Sequence, residues 1–172
     1  MPLSGTPEDQ LDGADMTREN RKKVLSLGEY LDAEIRRVDA AILDVTRRSI
    51  NDLVDDMTVP VAKGGRMPVD TGFLRKSGAG ELNSWPSGPV KGDRKAAPGT
   101  YDDGTKPGSS LSTSLISALA RMKIGDTLYY GWTAAYANAQ ETPRMFMAGA
   151  VLKWQDIVKR NVANVKRERG LG

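Results

Sequence analysis

The residues best placed to do chemistry in this 172-residue chain are Asp70, Thr71 and Gly72, because an Asp-Thr-Gly turn can present an aspartate for peptide hydrolysis. That chemistry needs two such turns, since one proton is shared between two carboxylates about 3 Å apart that cannot both ionise. The chain holds a single Asp-Thr-Gly triplet. Phe73 stands where a small residue usually follows, and Ile124-Gly125 is a poor match for the apolar-apolar-Gly segment that would pin an active-site loop. A single-motif aspartic protease is therefore the remote alternative. The favoured reading is architectural: Asp70 caps a helix, accepting backbone N–H bonds from the next turn, while Phe73 and Leu74 turn into a core.

Histidine and cysteine are both absent. Their absence removes thiol nucleophiles, His-based triads, disulfides and Cys/His zinc sites together. The carboxylate pairs Asp55-Asp56 and Asp102-Asp103 lack the alternating ligand spacing of a calcium loop. No catalytic residue, cofactor or metal is expected, and the chain is read as a protein that is not an enzyme. Gly72 and Gly125 are expected at backbone positions that need freedom from a side chain. Arg75 either pairs across a subunit interface or lies solvated.

These residues need elements to hold them. Residues 1–16 mix Pro, Gly, Asp and Ser and read as a flexible arm, followed by a single domain over 17–172. From Thr17 to Met57 apolar residues recur at three- and four-residue steps without proline, which predicts a long amphipathic helix. Ser26 and Glu29 form a capping box inside it, so a break at Gly28 is expected, with the uninterrupted part at 27–57. A helix of that size spans roughly 45 Å at about 1.5 Å per residue. Its apolar stripe either meets another subunit or packs wholly on the chain's own sheet.

Residues 78–110 contain seven Gly and four Pro and predict no regular element. They read either as an arm that orders on assembly, with Trp85 and Tyr101 as contacts, or as simple disorder. A helix over 111–122, a strand over 127–132, a short helix over 134–141 closed by Pro143, and a C-terminal helix from Phe146 follow. The expected fold class is α+β, a small β-sheet packed against the long N-terminal helix and the C-terminal helix, with long irregular arms.

The net charge of +3 hides an asymmetry. Residues 1–58 hold 8 Lys/Arg against 13 Asp/Glu, and residues 59–172 hold 17 against 9, giving −5 and then +8. Such halves suit head-to-tail subunit contacts, a face toward nucleic acid, or merely uneven solvated charge. Lys159, Arg160, Lys166, Arg167 and Arg169 would line a DNA channel if nucleic acid is the partner, binding phosphates in a salt-dependent way. No base-reading motif is present. No apolar run approaches the roughly 20 residues that span a bilayer, and Met1-Pro2-Leu3-Ser4-Gly5 lacks signal-peptide character, so no membrane partner is expected and the chain should be soluble in the cytosol when made.

Three segments in order carry a resemblance: Pro68-Val69-Asp70-Thr71-Gly72-Phe73-Leu74-Arg75-Lys76-Ser77, then Gly125-Asp126-Thr127-Leu128-Tyr129-Tyr130, then Ala135-Tyr136-Ala137 leading to Glu141. With the long helix before them, they resemble the tail-completion proteins of long-tailed phages, the minor tail protein Z family. The likeness covers roughly residues 17–168, and it departs from the family pattern after Glu141, where Thr142-Pro143-Arg144 replaces Tyr-Gly and a further loop. It implies a virion protein at the head–tail joint, made in the host cytoplasm. It also implies a homo-oligomeric ring, sixfold by analogy with phage tails, that contacts neighbouring neck, head-closure, tail-terminator or tail-tube proteins. Asp70, Thr71, Gly72, Leu74, Arg75, Gly125, Asp126, Tyr136 and Glu141 are its family-pattern positions, in structural roles.

Overall fold

The computed structural model describes residues 9–69, 72–86 and 112–171, with side chains from residue 26 onward. Among the described residues there are six α-helices and a two-stranded antiparallel sheet, in the order α1 (Asp9–Thr58), a 3-10 turn (Val61–Lys63), α2 (Phe73–Lys76), β1 (Gly78–Leu82), α3 (Thr113–Arg121), β2 (Leu128–Trp132), α4 (Ala137–Arg144), α5 (Phe146–Val151) and α6 (Trp154–Arg169). This is the α+β architecture expected, with a long N-terminal helix, a small sheet and a C-terminal helix. The chain divides into two compact units, Met1–Ala40 and Ala41–Gly172.

α1 is longer than its sequence pattern predicts and does not break. Residues 9–16, expected in the irregular arm, are helical, and the helix runs through Gly28 without interruption. The reason is local: no proline interrupts Asp9–Thr58. An internal Gly costs only about 1 kcal/mol relative to Ala, whereas a break would orphan four N–H and four C=O groups. The Ser26/Glu29 signal is thereby overridden.

In the second unit the later part of α1 buries one face, including Val54, Met57 and Thr58. Val54 joins Leu115, Leu119 and Met122 of the α3 segment in one core cluster, with Leu43, Ile50, Leu82, Leu128 and Tyr130 packed around it. α3 has the required pattern, burying Leu115, Ala118 and Leu119, and starts at Thr113, two residues later than expected, because Ser112 is its cap, accepting from the Leu115 N–H at 3.2 Å. Here the sheet depends on the helices, since two strands alone are marginal in water.

β1 corrects the expectation that 78–110 holds no regular element. Gly78-Ala79-Gly80-Glu81-Leu82 has poor β-propensity, yet it pairs with β2 in the register Gly78↔Trp132, Gly80↔Tyr130, Leu82↔Leu128. Packing selects it. A Cβ on Gly80 would sit 2.9 Å from Leu115 Cδ1, and one on Gly78 would run into the Tyr130 hydroxyl, so glycine is what lets the strand lie beneath those side chains. Residues 87–111, including Tyr101 and most of the proposed arm, lie outside the described residues.

A second cluster holds Met67, Leu74, Ala134 and Phe146, with Phe73, Trp132 and Ala137 around it. Trp132 bridges to the first cluster region edge-on: its ring centroid is 4.8 Å from Phe146 and 5.3 Å from Tyr130.

The C-terminal helix expected from Phe146 is two helices, α5 and α6, separated by a turn at Leu152-Lys153. Pro143, expected to close the preceding helix, lies within the last turn of α4, and Met145 at φ +52° ends it instead. α6 is fastened to α1 by an antiparallel ladder. Lys153 meets Asp56 at 2.7 Å, Arg160 meets Asp52 at 2.8 Å, Glu168 meets Arg48 at 2.8 Å and Arg169 meets Asp44 at 3.3 Å. The α1 partners recur every four residues and so form one row on the helix. Ile157, Asn161 and Val165 are the buried residues of α6, and Asn161 donates to Asp52 at 2.8 Å.

The ladder sets an acid limit on stability. Burial works to raise Asp44 and Asp52, but the hydrogen bonds and charges of Arg48 and Arg169 on the first, and the hydrogen bonds of Arg160 and Asn161 with the charge of Arg160 on the second, hold both below the ordinary carboxylate range. The hydrogen bond from Arg48 does the same for Glu168. With folded-state values below unfolded ones, the unfolded chain binds more protons, so this stabilisation is complete above the unfolded values near 4 and is lost as pH falls through the folded ones. Thermal unfolding should thus be flat from pH 8 to about 5 and decline below about 4, and Asp44→Asn with Asp52→Asn should shrink that decline.

Candidate assembly surface

In the first unit, α1 carries an apolar row that stands exposed among the described residues. Leu27, Leu31, Ile35 and Val38 are 46–57% exposed and Tyr30 is 62% exposed. Leu31, Ile35 and Val38 follow four-then-three spacing, the seam of a helix that packs lengthwise on another. Asp32, Glu34 and Asp39 occupy the positions flanking this seam, while Arg36 and Arg37 fall on the far side. Glu34 makes a weak exposed contact with Arg37 at 3.4 Å, and Asp32 and Asp39 make no ion pair among the described residues. An apolar row rimmed by one sign of charge is a surface for association.

A second exposed set lies in the other unit, at the α5–α6 turn and along the outer face of α6. Leu152 is 81% exposed, Val151 50% and Val162 37%. Lys159 and Lys166 stand one turn either side of Val162, both exposed and without an ion pair among the described residues. The expected DNA-channel cations therefore separate into two groups. Arg160 and Arg169 face α1 in the ladder and Arg167 donates to Asn164 Oδ1 at 2.9 Å, which leaves Lys159 and Lys166.

The family-pattern residues have visible structural work. Gly72 is buried at φ +88° and occupies the cap position of α2, where no side chain caps the helix. Asp70 and Thr71 lie outside the described residues, so the expected Asp70 cap does too. Leu74 is a core residue, and Arg75 is half-buried with its Nε unpartnered. Gly125 turns at φ +93°, which delivers Asp126 to accept from the Lys123 N–H at 2.8 Å and from Asn83 Nδ2 at 3.0 Å. Asn83 completes this clasp by accepting from the Thr127 N–H at 2.9 Å. The hydrogen bonds from Asn83 and the Lys123 N–H hold Asp126 below the ordinary carboxylate range. Tyr136 lies against Phe73 with centroids 6.3 Å apart.

Glu141 reaches past the end of α4 and accepts from the Met147 N–H at 2.9 Å and the Ala148 N–H at 2.8 Å. It thereby satisfies two of the orphan donors that begin α5. Glu141→Ala should destabilise the protein by about 1–2 kcal/mol, read from urea unfolding with an unchanged far-UV spectrum of the native state.

Trp85 is 75% exposed and its ring lies 4.7 Å from that of Tyr129 at the sheet edge. The α1–α6 ladder was missed by sequence reasoning, although the four-residue recurrence of Asp44, Arg48, Asp52 and Asp56 was a usable signal. Among the described residues no group of three or more Asp or Glu is arranged to hold a metal, and no helix is long and apolar enough to cross a membrane. No protein-family model, curated protein or solved structure matches the chain.

Proposed function

We propose that the chain is a non-enzymatic virion protein of a long-tailed phage or phage-like particle. It closes into a ring at the head–tail joint, completing the tail or connecting it to the head. The observation that carries this reading is the exposed row Leu27, Leu31, Ile35, Val38, because such a seam on a helix is stabilised only by a partner surface. The ordered tail-completion motifs support it. Their residues Gly72, Leu74, Gly125, Asp126 and Glu141 turn, fill and cap the backbone, which is what a structural component asks of them.

The ring would be sixfold by resemblance, would sit against neck, head-closure, tail-terminator or tail-tube proteins, and would close through unlike surfaces on successive copies. A duplex-binding accessory role is the weaker reading. It rests on Lys159 and Lys166, since Arg160 and Arg169 are already paired with carboxylates. Purified chain imaged by electron microscopy and mixed with tails separates the two. Rings that copurify with tails support the joint reading, whereas a small oligomer that shifts duplex only at low salt supports the other.

A further inference from the structure

Beyond ring closure as such, the observations identify which two surfaces meet. We infer that the acid-rimmed row of α1 in one copy docks on the outer face of α6 in the next copy, with Asp32, Glu34 and Asp39 opposite Lys159 and Lys166 and with Leu31, Ile35 and Val38 against Leu152 and Val162. This rests on the reading of the chain as a ring-forming protein and names the contact that closes the ring.

Three lines of argument converge on this acceptor. First, the α1 row meets itself poorly: in a parallel or antiparallel self-pair the flanking positions of both helices bring Asp32, Glu34 and Asp39 toward one another, and of these only Glu34 has a cation in reach within the described residues, Arg37 at 3.4 Å. Second, the complementary charge is available and unspent. Lys159 and Lys166 are cations of α6 that the intrachain ladder leaves unused, and they bracket an exposed valine as the acids bracket the α1 row. Third, the chemistry already works within one copy. Asp44, Asp52 and Asp56 of α1 accept Arg169, Arg160 and Lys153, and Ile157 and Val165 of α6 are buried, so acidic α1 against basic α6 is a pairing these two helices already make within one copy. The outer face of α6 repeats that pairing toward a neighbour. Because donor and acceptor surfaces differ, the contact is heterologous and propagates from copy to copy until it closes.

The test is a charge exchange on the full chain, read by native mass spectrometry at concentrations where the wild type is a ring. One variant carries Asp32→Lys, Glu34→Lys and Asp39→Lys; the other carries Lys159→Glu and Lys166→Glu. Each alone should be monomeric, with at least a 100-fold loss of association, and an equimolar mixture should regain rings of alternating composition. Circular dichroism confirms that each variant is folded.

Because the wild type has no cysteine, a second measurement is independent of charge. Mixing Ile35→Cys protein with Val162→Cys protein under mild oxidation should give a 35–162 crosslink between copies. A ring-forming Lys159/Lys166 variant, a dominant 35–35 crosslink, a mixture that stays monomeric, or a wild type that is itself monomeric would each overturn the contact. Copurification with tails is scored separately, so that a failed contact in a particle-bound protein is distinguishable from a failed assignment to the particle.

Discussion

Leu31→Gln with Ile35→Gln is expected to leave a folded monomer that no longer forms rings. Both side chains are more than half exposed in the single chain, so their loss removes little from the folding core. Glutamine keeps the helix propensity of leucine to within a few tenths of a kcal/mol, and unfolding should change by roughly 0.5 kcal/mol or less. Association is affected very differently. Covering the remaining apolar area of two such residues is worth about 2–3 kcal/mol per contact, and two buried amides without partners add to the loss. Each subunit of a ring makes two contacts, so a weakening of roughly 100-fold per contact is compounded on closure. Sedimentation velocity and urea unfolding on the same sample separate the two effects. Loss of rings with unchanged unfolding is the expected pair of results.

Phe146→Ala should do the reverse, removing stability at its source. Phe146 is 2% exposed, meets Trp132 edge-on, and closes the cluster of Met67, Leu74 and Ala134. A phenylalanine truncated in such a place costs about 3–5 kcal/mol, from lost transfer energy and the cavity left behind. Against a total of about 5–15 kcal/mol for a domain, that loss takes a large share and should shift the urea midpoint strongly. Leu152→Ala is the matched control. At 81% exposure it should leave unfolding unchanged while weakening ring formation.

The contrast between these two variants also explains what the sequence could and could not disclose. Elements built on periodicity were legible: the proline-free apolar repeat of α1, the Leu115/Leu119 spacing of α3 and the aromatic run of β2 each encode their own partner face. β1 was illegible for the opposite reason. Gly78 and Gly80 carry no strand signal, because what they supply is room for Tyr130 and Leu115, side chains 35 or more positions away along the chain. The same holds for the turn that divides α5 from α6, where no proline or glycine marks the break at Leu152-Lys153.

Charge behaved in a third way. The acidic first third and basic remainder were visible at once, but counting could not divide them between partners. The structure assigns Asp44, Asp52 and Asp56 to α6 of the same copy, leaving Asp32, Glu34 and Asp39 beside the exposed row. Of the candidate surface, then, the apolar row was readable from spacing, and its availability to a partner was not. Among the pattern residues, Gly125 and Asp126 were recognisable as a turn, whereas the Asn83 side of their clasp comes from 42 or more residues upstream and has no local mark.

The central claim is that this chain works by adhering to copies of itself at the joint of a particle, without breaking bonds. Subunit-resolution imaging of an intact tailed particle that carries it tests this most directly. The expected result is a closed ring of this chain between head and tail, each α1 row lying on the α6 face of its neighbour. A particle whose joint lacks the chain, together with a purified protein that remains monomeric, would contradict it.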